Sequence, residues 1–260
     1  MNEFLKFAQD LAKLGGKRLA GSFGKLSQTQ IENKGSHDLV TQLDKEVEQM
    51  YVEAIKKRFP EHGIIGEEGS SKKEDAEYVW VLDPLDGTRN YTIEVPFYAT
   101  TICLLKNKEP VVAVIYVPPV DKLYSAIKGD GAFLNGKKIN VSGEAELKKS
   151  SILYCHTADK RGVKAAEKYA AKLKMAAFNA DRLRTAGGEM GLVAEGLVEA
   201  YLLDGLPVWD LAAGALLVRK AGGKATDFTG KDWVPGGKNI LVSNGSGIHE
   251  EILIILASVL

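Results

Sequence analysis

Four acidic segments, far apart in the chain, carry residue types that hold hard cations. The most specific is Asp83-Pro84-Leu85-Asp86-Gly87-Thr88, which follows the apolar run Tyr78 to Leu82 and opens a polar stretch. Two aspartates at the tip of a buried strand are costly when uncompensated, and a cation offsets that cost. Pro84 stiffens the turn so that Asp83 and Asp86 converge, and Gly87 lets the backbone approach a ligand closely. Backbone N–H groups at Gly87 and Thr88 are then placed to receive phosphate oxygens, as at other helix starts. The ordinary alternative is that the aspartates cap a turn. An EF-hand loop is excluded, because positions three, five and six counted from Asp83 are Leu85, Gly87 and Thr88.

The other three segments say little alone. Glu67-Glu68 ends a short apolar run, where adjacent glutamates are ordinarily solvated. Asp210, in Trp209-Asp210, stands in a first helical turn, where aspartates ordinarily serve as caps or dipole partners. Asp38 reads as the N-cap of a following helix, and Asp44, six residues on, lies beyond the need for a cap.

Stepping the chain through its periodicities gives the elements that must position these groups. Residues 2–22 place Phe4, Phe7, Leu11 and Leu14 at helical spacing, and 39–59 repeat the pattern through Leu43, Val47, Met50, Ala54 and Ile55 before Pro60 stops it. A strand over 63–66 leads to Glu67, a polar loop covers 70–77, and a buried strand covers 78–82. Strands are expected over 97–105, 110–117, 123–127 and 131–139, the last turning at Asn135-Gly136. After about residue 145 helices and strands alternate: helices over 161–173, 185–196, 209–221 and 249–258, strands over 200–203 and 240–243. The expected division is an α+β domain over 1–144, carrying most of the acidic segments, and an α/β domain over 145–260 carrying Asp210.

Composition narrows the function classes. Lysine plus arginine equals aspartate plus glutamate at 34 each, so nothing favours a general nucleic-acid or membrane-surface binder. Val111 to Val117 is too short to span a bilayer. With no secretory signal either, a cytoplasmic location is expected. Cys103 and Cys155 sit in apolar stretches outside any CxxC spacing and read as buried free thiols. His37, His62, His156 and His249 are scattered, which argues against a zinc centre, and none pairs with a serine or cysteine nucleophile.

Taken together, Asp38-Leu39-Val40-Thr41 with Asp44, Gly66-Glu67-Glu68, Asp83 to Asn90, Gly129 to Asn140 and Trp209 to Gly223 resemble the inositol monophosphatase family, in the family's order and over about residues 3–256. The resemblance implies a five-layer αβαβα sandwich of the inositol monophosphatase and fructose-1,6-bisphosphatase type, usually a homodimer. It implies metal ligands at Glu67, Asp83, Asp86, the Leu85 carbonyl and Asp210. Asp44 and Thr88 would orient and deprotonate a water, with Glu67 between that water and a metal. The implied cofactor is magnesium, two or three ions per site, with manganese as an alternative. Such ions suit oxygen ligands and offset the repulsion between hydroxide and a phosphate dianion. The implied substrate is a small phosphomonoester, bound by Asp86, Gly87, Thr88, Arg184, Thr185, Ala186 and Asp210.

Substrate-side positions depart from the family pattern. The glutamate that inositol-specific members carry six residues before Trp-Asp is Leu203 here, with Asp204 beside it, and Pro207 replaces a commonly polar residue. Arg184 stands where small residues are usual, beside Arg182, and suits a second phosphate, which brings in fructose 1,6-bisphosphate. Lys34 lies in the loop before Asp38, a flap near the metals in the family. Asn90-Tyr91 resembles inositol monophosphatases more than the relatives that act on 3′-phosphoadenosine nucleotides. A regulatory binding protein without activity is the remaining alternative, and its sign, degraded metal ligands, is missing.

Overall fold

The first helix, α1 (Asn2–Ser22), buries Ala8, Leu11, Ala12, Gly15, Gly16 and Leu19, a single 3.6-period stripe. The small residues let it lie close: a Cβ on Gly15 would fall 1.8 Å from the Tyr51 hydroxyl, and one on Gly16 2.3 Å from the Tyr116 ring. Leu14, expected on the buried face, is half exposed, since the stripe runs through the alanines and glycines beside it. These features come from a computed structural model, which describes residues 1–25, 31–33, 39–157 and 160–259.

A short hairpin of β1 (Ile31–Asn33) and β2 (Leu39–Thr41) precedes α2 (Gln42–Arg58). The sequence placed that helix start at residue 39; instead Thr41 is its N-cap, and Asp44 completes a capping box with it. Asp44 is therefore at a capping position after all. Asp38, the expected cap, lies outside the described residues, as do Lys34 and His37.

The large sheet follows. Its strands are β3 (Gly63–Gly66), β4 (Ser71–Lys72, within the expected loop), β5 (Tyr78–Asp86), β6 (Ala99–Lys106), β7 (Glu109–Val117), β8 (Lys122–Ile127), β9 (Ala132–Leu134) and β10 (Lys137–Ile139), with α3 (Thr88–Thr92) between β5 and β6. Their spatial order is β10-β9-β8-β7-β6-β5-β3-β4, antiparallel except for β3 beside β5. The second half supplies β11 (Ser151–His156), α4 (Lys160–Ala176), β12 (Asn179–Asp181), α5 (Ala186–Ala194), β13 (Ala200–Asp204), α6 (Val208–Lys220), β14 (Lys224–Thr226), β15 (Asn239–Ser243) and α7 (Ile248–Ala257). Its five strands form a mixed sheet ordered β12-β11-β13-β15-β14.

The apolar clusters show the layering. One packs α1 and α2 against one face of the large sheet through Tyr51, Ile55, Trp80 and Ile102. A second joins the other face, through Val81 and Cys103, to α5 and α6 and on to Tyr201 and Val242 of the small sheet. A third lays α4 and α7 on the outer face of the small sheet, through Tyr169, Leu202 and Ile252. The order is αβαβα, with α5 and α6 wrapped on both sides by sheet. This explains why α6 is apolar almost all round. Cys103 is buried, as expected, whereas Cys155 is partly exposed.

Candidate metal centre

β5 does not end at Leu82, as its apolar run suggests, but continues through Asp83 to Asp86. Its pairing with β6 shifts register between these two aspartates. A bulge of this kind re-aims side chains. It leaves Asp83 and Asp86 on the same side as Asp210, which stands in the first turn of α6. The start of α6 is tied to β6 by the Thr101 hydroxyl, which donates to the Trp209 carbonyl at 3.1 Å. Asp83, Asp86 and Asp210 can each offer a carboxylate oxygen such that all lie within 4.8 Å of one another.

Each carboxylate is held differently. Asp83 is fully buried; its Oδ1 accepts the Leu85 N–H at 3.0 Å and its Oδ2 has no hydrogen-bond partner. A buried carboxylate oxygen without a donor is costly. Burial first, then the charges of Glu67, Asp86 and Asp210, hold the Asp83 carboxyl well above its usual range. Asp86 accepts N–H groups from Ala186 at 2.9 Å and Gly187 at 2.7 Å, so it also caps the N-terminus of α5. Burial pushes Asp86 up to about 7 against the pull of those N–H groups. Glu67 follows β3 and lies against Asp83, outside the three-aspartate group. Three like charges this close, with an unpaired oxygen among them, fit a divalent cation, with Glu67 at the flank.

Beside the cluster, the Thr88 hydroxyl lies 3.0 Å from the Leu85 carbonyl and 3.3 Å from Asp44 Oδ1. The other Asp44 oxygen accepts the Thr41 N–H at 3.0 Å and the Thr41 hydroxyl. The cap of α2 thus fixes the carboxylate that faces Thr88. The Leu85 carbonyl, with two lone pairs, keeps one for another partner. Gly87 has φ of 90°, and a Cβ there would sit 2.5 Å from Thr185 Oγ1, so the close approach it permits is to the protein's own loop.

The other expected substrate contacts fall differently. Thr185 is buried: its hydroxyl donates to the Phe97 carbonyl at 2.9 Å and its N–H to Glu189 at 3.0 Å. Ala186 is buried too, its N–H held by Asp86. Both therefore help to position the loop. Arg184 is exposed at φ of 62°. Arg182 turns inward to His156 Nε2 at 2.5 Å. Leu203 lies in the core, because strand alternation in β13 turns it inward and leaves Asp204 at the strand end. Asn90 is buried, donating to the carbonyls of Phe97 at 2.8 Å and Leu183 at 2.7 Å.

Sequence periodicity does not single out two buried helical glutamates near the site. Glu48 of α2 accepts the N–H groups of Glu68 at 2.8 Å and Ser70 at 3.0 Å, and so holds the turn that carries Glu67. Glu189 of α5 accepts those of Leu183 at 2.8 Å and Thr185 at 3.0 Å. Each lies on the apolar face of its helix, and that misplacement was the available signal.

Comparison with known proteins identifies the family. The family model described as the inositol monophosphatase family matches residues 1–259. The chain is 34% identical to a fructose-1,6-bisphosphatase/inositol-1-monophosphatase of Aquifex aeolicus, covering 97% of this chain and 95% of that one. It is 36% identical to a putative Nus factor SuhB of Neisseria meningitidis, over all of both chains. The solved inositol monophosphatase of Anabaena superposes with a TM-score of 0.88 at 32% identity, covering 100% of this chain and 97% of that one. The chain belongs to the inositol monophosphatase family, which supports a phosphatase.

Proposed function

We propose that the protein is a magnesium-dependent phosphatase of small phosphomonoesters such as inositol 1-phosphate. One observation carries this most: Asp83, Asp86 and Asp210, from a strand tip and a helix start, converge with a buried Asp83 oxygen left unpaired. We assign Asp83, Asp86, Asp210, Glu67 and the Leu85 carbonyl to holding divalent cations, two or three in number, with manganese able to replace magnesium. Bound there, such cations supply Lewis acidity toward the phosphoryl oxygens and toward water.

The protein's own groups do the rest. The N–H groups of Gly87 and Thr88 bind phosphate oxygens at the start of α3. The Thr88 hydroxyl orients the attacking water, and its proton passes through Thr88 Oγ1 to Asp44 Oδ1, with Glu67 on the other side of the water. Asp86 and Asp210 also accept hydrogen bonds from substrate hydroxyls. The capping box keeps Asp44 from turning away. Arg184 supports a second reading, hydrolysis of fructose 1,6-bisphosphate, since its exposed guanidinium stands two residues from the Asp86-bound Ala186. Among the described residues no helix is long and apolar enough to cross a membrane. A homodimer, usual in the family, is part of the same proposal; exposed Val95, whose N–H donates to the Asn90 carbonyl, and exposed Leu183, whose carbonyl accepts from the Asn90 side-chain amide, form one apolar edge it could cover.

Purified protein should release phosphate from inositol 1-phosphate with magnesium and not with EDTA. No release from any of a panel of phosphomonoesters, with magnesium or manganese, would overturn the proposal.

A further inference from the structure

Arg184 occupies a backbone conformation that side chains other than glycine adopt at a cost, with φ of 62°. Such a residue persists only where its surroundings hold it. Here the holding groups are identifiable. On one side of Arg184 the Leu183 N–H donates to Glu189 Oε1, and on the other the Thr185 N–H donates to Glu189 Oε2. Glu189 returns the contact, donating its own N–H to the Thr185 carbonyl at 2.8 Å. The Leu183 carbonyl is held by Asn90, and the Thr185 hydroxyl is anchored on Phe97. The next two N–H groups, of Ala186 and Gly187, belong to Asp86.

We propose that Glu189 is a positioning residue for substrate selectivity. It clamps the turn on both sides of Arg184 and so sets where that guanidinium meets a second anionic group of the substrate. A fully buried acid side chain in a helix otherwise made of alanine, glycine and apolar residues is expensive, and a turn needs none merely to close. What the carboxyl provides is two acceptor oxygens at fixed separation, one for each flank of the strained residue. Asp86 and Glu189 together hold four N–H groups of one segment, so the metal-binding aspartate and the arginine ride on the same rigid piece of chain. The inference rests on the phosphatase reading for its substrate and on geometry alone for its clamp.

The experiment compares wild type with Glu189→Ala, Glu189→Gln, Arg184→Ala and the Glu189→Ala/Arg184→Ala pair, as full-length protein. Amide hydrogen exchange of residues 183–187 tests the clamp with no substrate present: about tenfold faster exchange or more is expected at Leu183 and Thr185 in Glu189→Ala. Kinetics with magnesium then test its purpose. The ratio of KM for fructose 1,6-bisphosphate to KM for inositol 1-phosphate should rise about tenfold in Arg184→Ala. It should rise similarly in Glu189→Ala, less in Glu189→Gln, which keeps one acceptor, and no further in the double variant. If Glu189→Ala fails to fold, the isosteric Glu189→Gln carries both measurements. Wild-type exchange at both amides overturns the clamp. A ratio unchanged in Arg184→Ala, or moved equally and additively by both changes, overturns the selectivity role. If neither substrate is hydrolysed at all, the phosphatase reading fails, while the exchange data still decide the clamp.

Discussion

Replacing Asp83 with asparagine should stabilise the metal-free protein and make it indifferent to magnesium. The oxygens of Asp83, Asp86 and Asp210 lie within 4.8 Å of one another. At an effective dielectric of about 20, two unit charges at that distance repel by roughly 3.5 kcal/mol. Asp83 shares two such pairs, so its full ionisation costs about 7 kcal/mol from pair repulsion alone. The metal-free protein avoids part of this by retaining protons, since Asp83 is held well above its usual range and Asp86 is pushed up to about 7. Acids whose folded-state pKa is raised contribute stability that is present below the unfolded value near 4 and is lost as pH rises through about 7. At pH 8 in EDTA Asp86 has given up its proton and the wild type carries part of this repulsion, so Asp83→Asn, which removes one acid from the cluster, should recover about 2–3 kcal/mol, less than one pair's share. At roughly 2–4 °C per kcal/mol for a chain of this size, the melting temperature rises by about 5–10 °C. Adding magnesium should raise the wild type and leave the variant where it was. Scanning calorimetry at pH 8, in EDTA and in magnesium, measures all four values. A variant that melts below the wild type in EDTA, or that gains as much from magnesium, would refute the reasoning.

Two further outcomes are expected. Thr88→Ala, which removes the hydroxyl beside Asp44, should lower turnover about 100-fold while keeping the magnesium-dependent thermal shift; loss of that shift would place Thr88 in cation binding instead. His249 is buried between Thr226 and Ser243, and burial holds it down at about 4. Below pH 6.5 the unfolded chain takes up a proton that the folded one refuses, so stability should fall by on the order of 2–3 kcal/mol between pH 6.5 and 4. Melting curves of His249→Gln over that range should be flatter, and equal slopes would count against the buried neutral histidine.

The acidic motifs were legible because residue type and spacing together restrict the chemistry, and the five matching segments also implied the layers. What remained hidden depended on contacts between distant parts of the chain. Thr41, and not Asp38, caps α2, because a short strand occupies 39–41 where helical periodicity alone extends the helix. Asp44 then proves to be both a cap and the neighbour of Thr88, two roles that sequence distance does not separate. Leu203 stands at the offset from Trp209 where inositol-specific members carry glutamate, and that offset does not show that alternation along β13 packs the leucine into the core. Glu48 and Glu189 are single glutamates within helices, and only the backbone groups they meet, 20 residues away for Glu68 and six for Leu183, show what they do. Glu48 does stand on the face shared by Leu43, Val47, Tyr51 and Ile55, where a charge demands a partner.

Anomalous diffraction from crystals soaked in manganese locates bound cations without reference to any substrate. Strong peaks bounded by the carboxylates of Asp83, Asp86 and Asp210, with Glu67 at the edge, are the expected result. Well-ordered crystals with manganese bound only elsewhere, or nowhere, would contradict a catalytic metal centre built from these acids.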